Sequence, residues 1–337
     1  MLTFFTREHI DQFVNKRPGE TKLGETVAVF NQRVSFEEAL QELDAQYILL
    51  GVPEDIGVKM NGGNGGAHTG FIPGLKAFLN TQQNQFIQGS DIAVLGYLDC
   101  LDDVLKFDPK DRALGDRLVK KIDDALADII RQIIEADKTP IIIGGGHNNA
   151  FGNIKGLASA KGNAVNVINM DAHTDLRRLE ERHSGNGFSY ALDQGYLQKY
   201  FMFGLHENYT PQYIFEEIHN NPNLEYNTYE ELAITQLASF TNELQRAVDF
   251  ITNTHYGIEL DLDCIEHFPS SAMTPSGFSA REARQFVYNL GKHANASYLH
   301  ICEGAPAVKN EPTTAGQVGK FISYLVSDFI KARTRMN

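Results

Sequence analysis

The sequence predicts an α/β fold: a mainly parallel sheet of roughly eight strands, covered by helices on both faces. Three observations predict it. From Gln46 onward, short runs rich in Ile, Val and Leu alternate with longer segments of helical period. The short runs are apolar along almost their whole length, as in strands buried on both faces. No linker rich in Pro, Gly or Ser, no internal repeat and no low-complexity tract divides the 337 residues. Strand–helix–strand alternation builds right-handed crossovers, and these lay successive strands parallel.

The strand candidates are 46–52, 91–96, 140–144, 164–169, 199–204, 223–227, 256–262 and 297–301. Helices are expected over 73–81, 116–136, 148–158, 211–219, 241–252, 280–292 and about 315–333. Residues 1–44 read as an N-terminal extension, either covering a subunit interface or packing on the chain's own sheet. Residues 45–337 read as one domain. Open sheets of this kind bind ligands beyond the carboxyl ends of their strands, so chemistry is sought in the residues that follow each run.

Composition narrows the function. An apolar fraction of 42% with 22% charged residues is the balance of a globular protein with a sizeable core. The net charge of -13 argues against nucleic acid or an anionic membrane as partner and leaves a small-molecule substrate. Three cysteines, Cys100, Cys264 and Cys302, form no CxxC pair and suit a reducing cytoplasm. The N-terminus does not read as a signal peptide, and no run of about 18 apolar residues suggests a membrane span.

Three strand ends carry metal-ligand residue types. In IIIGGGHNNAFG, His147 follows a strand and a glycine run. Alone, it fits a structural histidine as readily as a ligand. In NVINMDAHTDLR, Asp171, His173 and Asp175 stand at i, i+2 and i+4. If strand geometry continues through them, all three point the same way. The competing reading is a polar loop capping the next helix. In YGIELDLDCIE, Asp261 and Asp263 again stand at i and i+2 after an apolar run. Carboxylates converging after buried strands are costly unless a cation compensates them. Two His and four Asp form a mixed nitrogen and oxygen donor set suited to Mn²⁺ or a similar ion. Four carboxylates match the charge of two divalent ions, so the set is sized for a pair.

GGGH, DAHTD and DLD, in this order, resemble the signature motifs of the arginase, agmatinase and formimidoylglutamase (ureohydrolase) family. The similarity runs from about Gly51 to near the C-terminus. The resemblance implies a three-layer αβα sandwich with an eight-stranded, mainly parallel sheet, and a centre of two Mn²⁺. By match to the motifs, His147, Asp171, Asp175 and Asp261 would hold one ion. Asp171, His173, Asp261 and Asp263 would hold the other. It further implies hydrolysis of an amidine or guanidine carbon by a bridging hydroxide, with Asp175 carrying a proton. A homo-oligomer, trimer or hexamer, is common in the family.

The substrate is argued from departures within the motifs. Glu303, in YLHICEGAP, matches the family carboxylate that pairs with the cationic head of the substrate. Asn186 lies in HSGNGF, which resembles the family's SGN segment and implies a substrate contact. Arg177 replaces the small amide of arginine-cleaving members and would attract a substrate carboxylate. With Arg178 it equally fits a solvated charge run, RRLEER. Phe188 stands where arginases carry a proton-shuttle His; formimidoylglutamases resemble a Phe here. His183 is nearby but unmatched, and Tyr209 stands where arginases carry an Asp. The loop Asn61, Gly62, Gly63, Gly65, Gly66 also resembles formimidoylglutamase-like members, and His68 within it is not expected to be a ligand. Asn148 and Asn149 depart from the usual residues after the motif His.

The reading is therefore hydrolysis of formimidoylglutamate to glutamate and formamide. An arginase or another guanidino-acid hydrolase releasing urea is the alternative within the class. A zinc deacetylase of related fold would want one metal and usually tandem His residues. A family member that binds without turnover would lack a tightly bound divalent ion.

Overall fold

The computed structural model describes residues 2–309, 311 and 313–334; the last three residues of the expected domain lie outside them. The strands are β1 (Leu2–Phe4), β2 (Ala28–Val29), β3 (Tyr47–Gly51), β4 (Ile92–Leu98), β5 (Thr139–Ile143), β6 (Val165–Met170), β7 (Leu197–Leu205), β8 (Leu224–Thr228), β9 (Tyr256–Asp261) and β10 (Ala296–Cys302). They form one sheet in the order β1-β4-β3-β5-β10-β9-β6-β7-β8, with β2 also pairing β4. Every pairing is parallel except that of β1 with β4.

β3 to β10 coincide with the eight runs read from the sequence. β1 and β2 come from the N-terminal stretch, which packs on the chain's own sheet. Strands of three and two residues are too short to show a period. What fixes β1 is burial beyond its end: Phe5 packs against Phe71 and Tyr97.

Alternate residues of each strand enter opposite cores, as a pleated backbone requires. Leu49, Ile141, Ile143, Met170, Leu260 and Ile301 face one core. The helices Phe71–Leu79, Phe240–Ile251, Ala280–Gly291 and Thr314–Thr334 supply its other side. Ile48, Leu50, Ile142, Val167, Met202 and Tyr298 face the second core, closed by Arg112–Glu135, Asn149–Lys161 and Gly187–Asp193. This is the three-layer αβα sandwich. The helix expected from 116 begins at Arg112, because the Asp111 carboxylate accepts the Leu114 N–H and caps it earlier.

The strand order decides where the site lies. β5 and β6 are consecutive in the chain, yet β10 and β9 sit between them. The chain leaves the sheet centre after β5, builds outward through β6, β7 and β8, and returns to fill the gap. Four adjacent central strands, β5-β10-β9-β6, thus end side by side at such a switch point. Among the described residues, no helix is long and apolar enough to cross a membrane.

Candidate metal centre

His147 reaches the centre through a tight turn after β5. Gly144 and Gly145 have φ of 89° and 81°. A Cβ on Gly145 would stand 2.1 Å from Asn149 Nδ2 and 2.7 Å from the Val52 carbonyl. Only glycine satisfies both the left-handed backbone and that contact. The turn is braced by Glu54, which the sequence reading missed. Its Oε1 accepts from Gly146 N at 3.1 Å, Asn148 Nδ2 at 3.1 Å and Asn149 Nδ2 at 2.8 Å. Asn148 and Asn149, departures from the motif, are therefore donors to a buried carboxylate. No sequence motif marks Glu54; only the GGGHNN turn, rich in donors, hints that an acceptor must face it.

Asp171 follows β6 and Asp261 ends β9. Each closes the same small turn: Asp171 Oδ1 accepts His173 N at 2.7 Å, and Asp261 Oδ1 accepts Asp263 N at 2.7 Å. This corrects one expectation. Strand geometry does not persist through DAHTD, because the Asp171 side chain captures the amide two residues on. Asp175 instead enters the site through a left-handed backbone, φ 48°. Glu303, after β10, has φ 60°. Non-glycine residues held there cost of order 1 kcal/mol or more and cluster at functional sites.

The donors converge closely. His147 Nδ1 lies 2.9 Å from Asp175 Oδ2, 3.1 Å from Asp171 Oδ2 and 3.2 Å from Asp261 Oδ2. One donor atom from each of these four residues falls within 4.8 Å of the others. Neither nitrogen of the buried His147 ring makes a well-formed hydrogen bond. Among the described residues, no Lys or Arg pairs with Asp171, Asp175, Asp261, Asp263 or Glu303, all buried. Lone pairs crowded around a point without a cation fit a divalent ion.

His173 and Asp263 line the same cleft but stand apart from that cluster. His173 Nδ1 is 3.3 Å from Asp171 Oδ1, and its ring stacks on Tyr209 at 5.5 Å. Asp263 accepts from Ala272 N at 3.0 Å and Ser271 Oγ at 3.1 Å.

The electrostatics agree. Burial, then the charges of Asp263 and Asp171, hold the Asp261 carboxyl well above the usual carboxylate range. Burial and Asp171 raise Asp175; burial, then Asp263 and Asp261, raise Glu303. Burial opposes charging His147, yet Cys302 and the three aspartates outweigh it and push its pKa up. Burial and mutual repulsion make the charged forms of these carboxyls costly, and a cation would relieve that cost.

The cleft has a volume of about 640 Å³. Its floor is His147, Asp175, Asp261 and Glu303; its rim includes Asn61, Arg177, Tyr209 and Tyr213. Glu303 Oε1 accepts His147 N at 2.7 Å, while buried Oε2 has no partner. Arg177 bonds Asn61 of the glycine-rich loop. Arg178 turns away onto the face of Tyr213.

Asn186 is not brought to the cleft. It is fully buried; Oδ1 accepts from Arg182 Nη1 at 2.5 Å and His183 N at 3.1 Å, and Nδ2 donates to the Glu181 carbonyl at 3.0 Å. Its amide is spent on Arg182, itself buried and bonded to Asp123 and the Asn148 carbonyl. Phe188 lies behind His147, edge-on at 5.3 Å and stacked on Tyr200 at 4.3 Å. His183 is held between Glu180 and Gly185 N, with burial lowering its pKa.

The arginase-family model matches residues 45–327. The chain belongs to the arginase family. Within that family, a formimidoylglutamase from Streptococcus pyogenes serotype M3 is 25% identical over 289 residues, 83% of this chain and 84% of the relative. The fold is shared with a formiminoglutamase from Trypanosoma cruzi solved with Mn²⁺, TM-score 0.72 at 19% identity, covering 93% of this chain and 98% of that one. It is shared equally with a formimidoylglutamase from Bacillus subtilis, TM-score 0.72 at 18% identity, covering 95% and 94%.

Proposed function

We propose that this arginase-family chain is a dinuclear-metal hydrolase that cleaves formimidoylglutamate to glutamate and formamide. The observation that carries the reading is His147 Nδ1 facing three aspartate oxygens within 3.2 Å, with no Lys or Arg among the described residues to balance them. His147, Asp171, Asp175 and Asp261 would hold one Mn²⁺; Asp171, His173, Asp261 and Asp263 would hold the second. When bound, such a pair supplies a water activated for attack near neutral pH and polarises the carbon it attacks.

The chain's own residues do the rest. Glu303 offers the unpaired Oε2 to the cationic formimino head, while Oε1 stays fixed on His147 N. Asp175, held by its left-handed backbone, accepts a proton at its carboxylate and returns it to the leaving nitrogen. Arg177 at the rim receives a substrate carboxylate and repels a cationic tail. Asn186 acts through Arg182, by holding the segment beside the cleft. The substrate choice is supported by Arg177, by the first loop and by the formimidoylglutamase relatives.

We further infer a cytoplasmic enzyme, since all three thiols are free and buried. It is assembled as a trimer or hexamer of one catalytic domain, 45–337, with 1–44 as an extension. Size-exclusion chromatography with light scattering reads the assembly. The deciding experiment is turnover by Mn²⁺-loaded protein on formimidoylglutamate, arginine, agmatine and guanidinobutyrate, assayed for formamide and urea. Formamide from formimidoylglutamate alone is expected. Urea from a guanidino substrate overturns the substrate and keeps the metal centre. No turnover on any of the four favours a family member that binds without reaction.

A further inference from the structure

Behind His147, on the side away from the aspartates, lies a second buried polar group that no motif marks. Nε2 of His147 points towards Glu259 Oε2, 3.6 Å away. Glu259 is fully buried within β9. Its other contacts are all donors from neighbouring elements. Tyr298 O–H donates to Oε1 at 2.7 Å, and His300 Nδ1 donates to Oε2 at 2.5 Å. Asn153 Nδ2 stands at 3.5 Å from Oε1. His300 also reaches the Gly144 carbonyl at 3.3 Å, at the start of the turn that carries His147.

The arrangement is built in register. Glu259 and His300 are direct partners across β9 and β10, as are Gly257 and Tyr298. A Cβ on Gly257 would lie 2.1 Å from the Tyr298 ring. Glycine at 257 therefore makes room for the phenol to lie across β9 and reach Glu259. A carboxylate in an apolar sheet is expensive without such donors, and among the described residues the Tyr298 hydroxyl donates only to Glu259.

A neutral imidazole that gives a lone pair to a cation at Nδ1 must carry its proton on Nε2. That N–H needs an acceptor, and within the sheet Glu259 Oε2 faces it. The 3.6 Å gap exceeds a formed hydrogen bond, and a shift of roughly 0.5 Å closes it. We propose that Glu259, held by Tyr298 and His300, is the positioning residue for His147: it takes the Nε2–H and so presents Nδ1 to the cation. The inference rests on the metal-centre reading above. A carboxylate behind a metal-binding imidazole orients the ring and raises its basicity, and losing it typically weakens metal binding 10–100-fold.

The test is calorimetric titration of Mn²⁺ into metal-depleted protein, with no substrate present. Wild type is compared with Glu259→Ala, Glu259→Gln and Tyr298→Phe, and the absorption spectrum of Co²⁺-loaded protein serves as a second readout. Glu259→Ala is expected to weaken one of two Mn²⁺ sites about 10–100-fold. Glu259→Gln, which keeps an acceptor oxygen, recovers part of that loss and shifts the Co²⁺ bands. Should Glu259→Ala not fold, Tyr298→Phe carries the test, since it removes one hydroxyl and expects a several-fold weakening of the same site. Folded variants that bind two Mn²⁺ with wild-type affinity and unchanged Co²⁺ spectra overturn the proposal alone. Wild-type protein that takes up no divalent ion overturns the metal-centre reading first, and this inference with it.

Discussion

Asp171 and Asp261 stand at the ends of β6 and β9, neighbours in the sheet, and make the same turn. Each uses Oδ1 to accept the amide two residues on, at 2.7 Å. Each turns Oδ2 to His147 Nδ1, at 3.1 Å and 3.2 Å. One oxygen of each carboxylate shapes the chain and the other faces His147, although Asp171 Oδ1 also lies 3.3 Å from His173 Nδ1. The two tasks can be separated. Asp171→Asn and Asp261→Asn keep a carbonyl oxygen for the turn but lose the negative charge. Asp261→Asn is expected to stay within about 1 kcal/mol of wild-type stability in the metal-free state. Asp171→Asn should lose about 1–3 kcal/mol, because its new NH₂ would face the Asn169 amide that donates to Oδ2 at 3.0 Å; Mn²⁺ uptake falls tenfold or more in both. Denaturant titration and metal analysis of the same samples check this.

Stability should depend on pH in a way that Mn²⁺ abolishes. In the metal-free protein, Asp175, Asp261, Asp263 and Glu303 have pKa values raised above their ordinary range. His147 and His173 are raised too. A raised folded-state pKa contributes stability below the unfolded value, about 4 for carboxylates and 6.5 for His. That stability is lost as pH rises through the folded value. Asp171, which is lowered, stays ionised in both states above about pH 5 and drops out. The Tm gap between Mn²⁺-loaded and metal-free protein should therefore widen from about pH 5 to pH 8. Groups away from the centre, such as Asp123 and His183, affect both forms alike. A gap that narrows over this window contradicts the assignment.

Glu303→Gln separates binding of the cationic head from metal binding. An amide oxygen can still accept His147 N, but the group facing the cleft loses its charge. We expect kcat/KM to fall by about 100-fold or more, with Mn²⁺ stoichiometry unchanged. Steady-state kinetics and metal content on one preparation measure both.

Arg177 lines the rim of the cleft, and its guanidinium bonds Asn61 of the glycine-rich loop. Arg177→Ala should raise KM for formimidoylglutamate about tenfold and leave kcat near wild type, the pattern of lost uniform binding. An unchanged KM would assign Arg177 to the solvated charge run instead.

Glu54 accepts four donors, Ile56 N being the fourth at 2.8 Å. Glu54→Gln turns an NH₂ group against one of them. A cost of about 1–3 kcal/mol is expected, read by urea denaturation, together with weaker Mn²⁺ binding as the His147 turn loosens.

The sequence by itself determined the eight runs that became β3 to β10, because apolar runs and helical period are local signals. It also determined which strand ends carry His147, Asp171, Asp175, Asp261 and Glu303, since glycine turns and paired aspartates are local chemistry. Tertiary structure alone decided how they meet. Insertion of β9 and β10 between β5 and β6 is a consequence of long-range packing, and no window of sequence records it. The same holds for side chains whose partners lie far along the chain. Glu54 reads as a loop residue until it meets Gly146, and Glu259 as an odd charge in a strand until His300 lies beside it. Asn186 looked like a cleft residue by its neighbours in sequence, yet its amide is consumed by Arg182. A buried polar group must be satisfied by whatever the fold places against it, and only the fold says what that is.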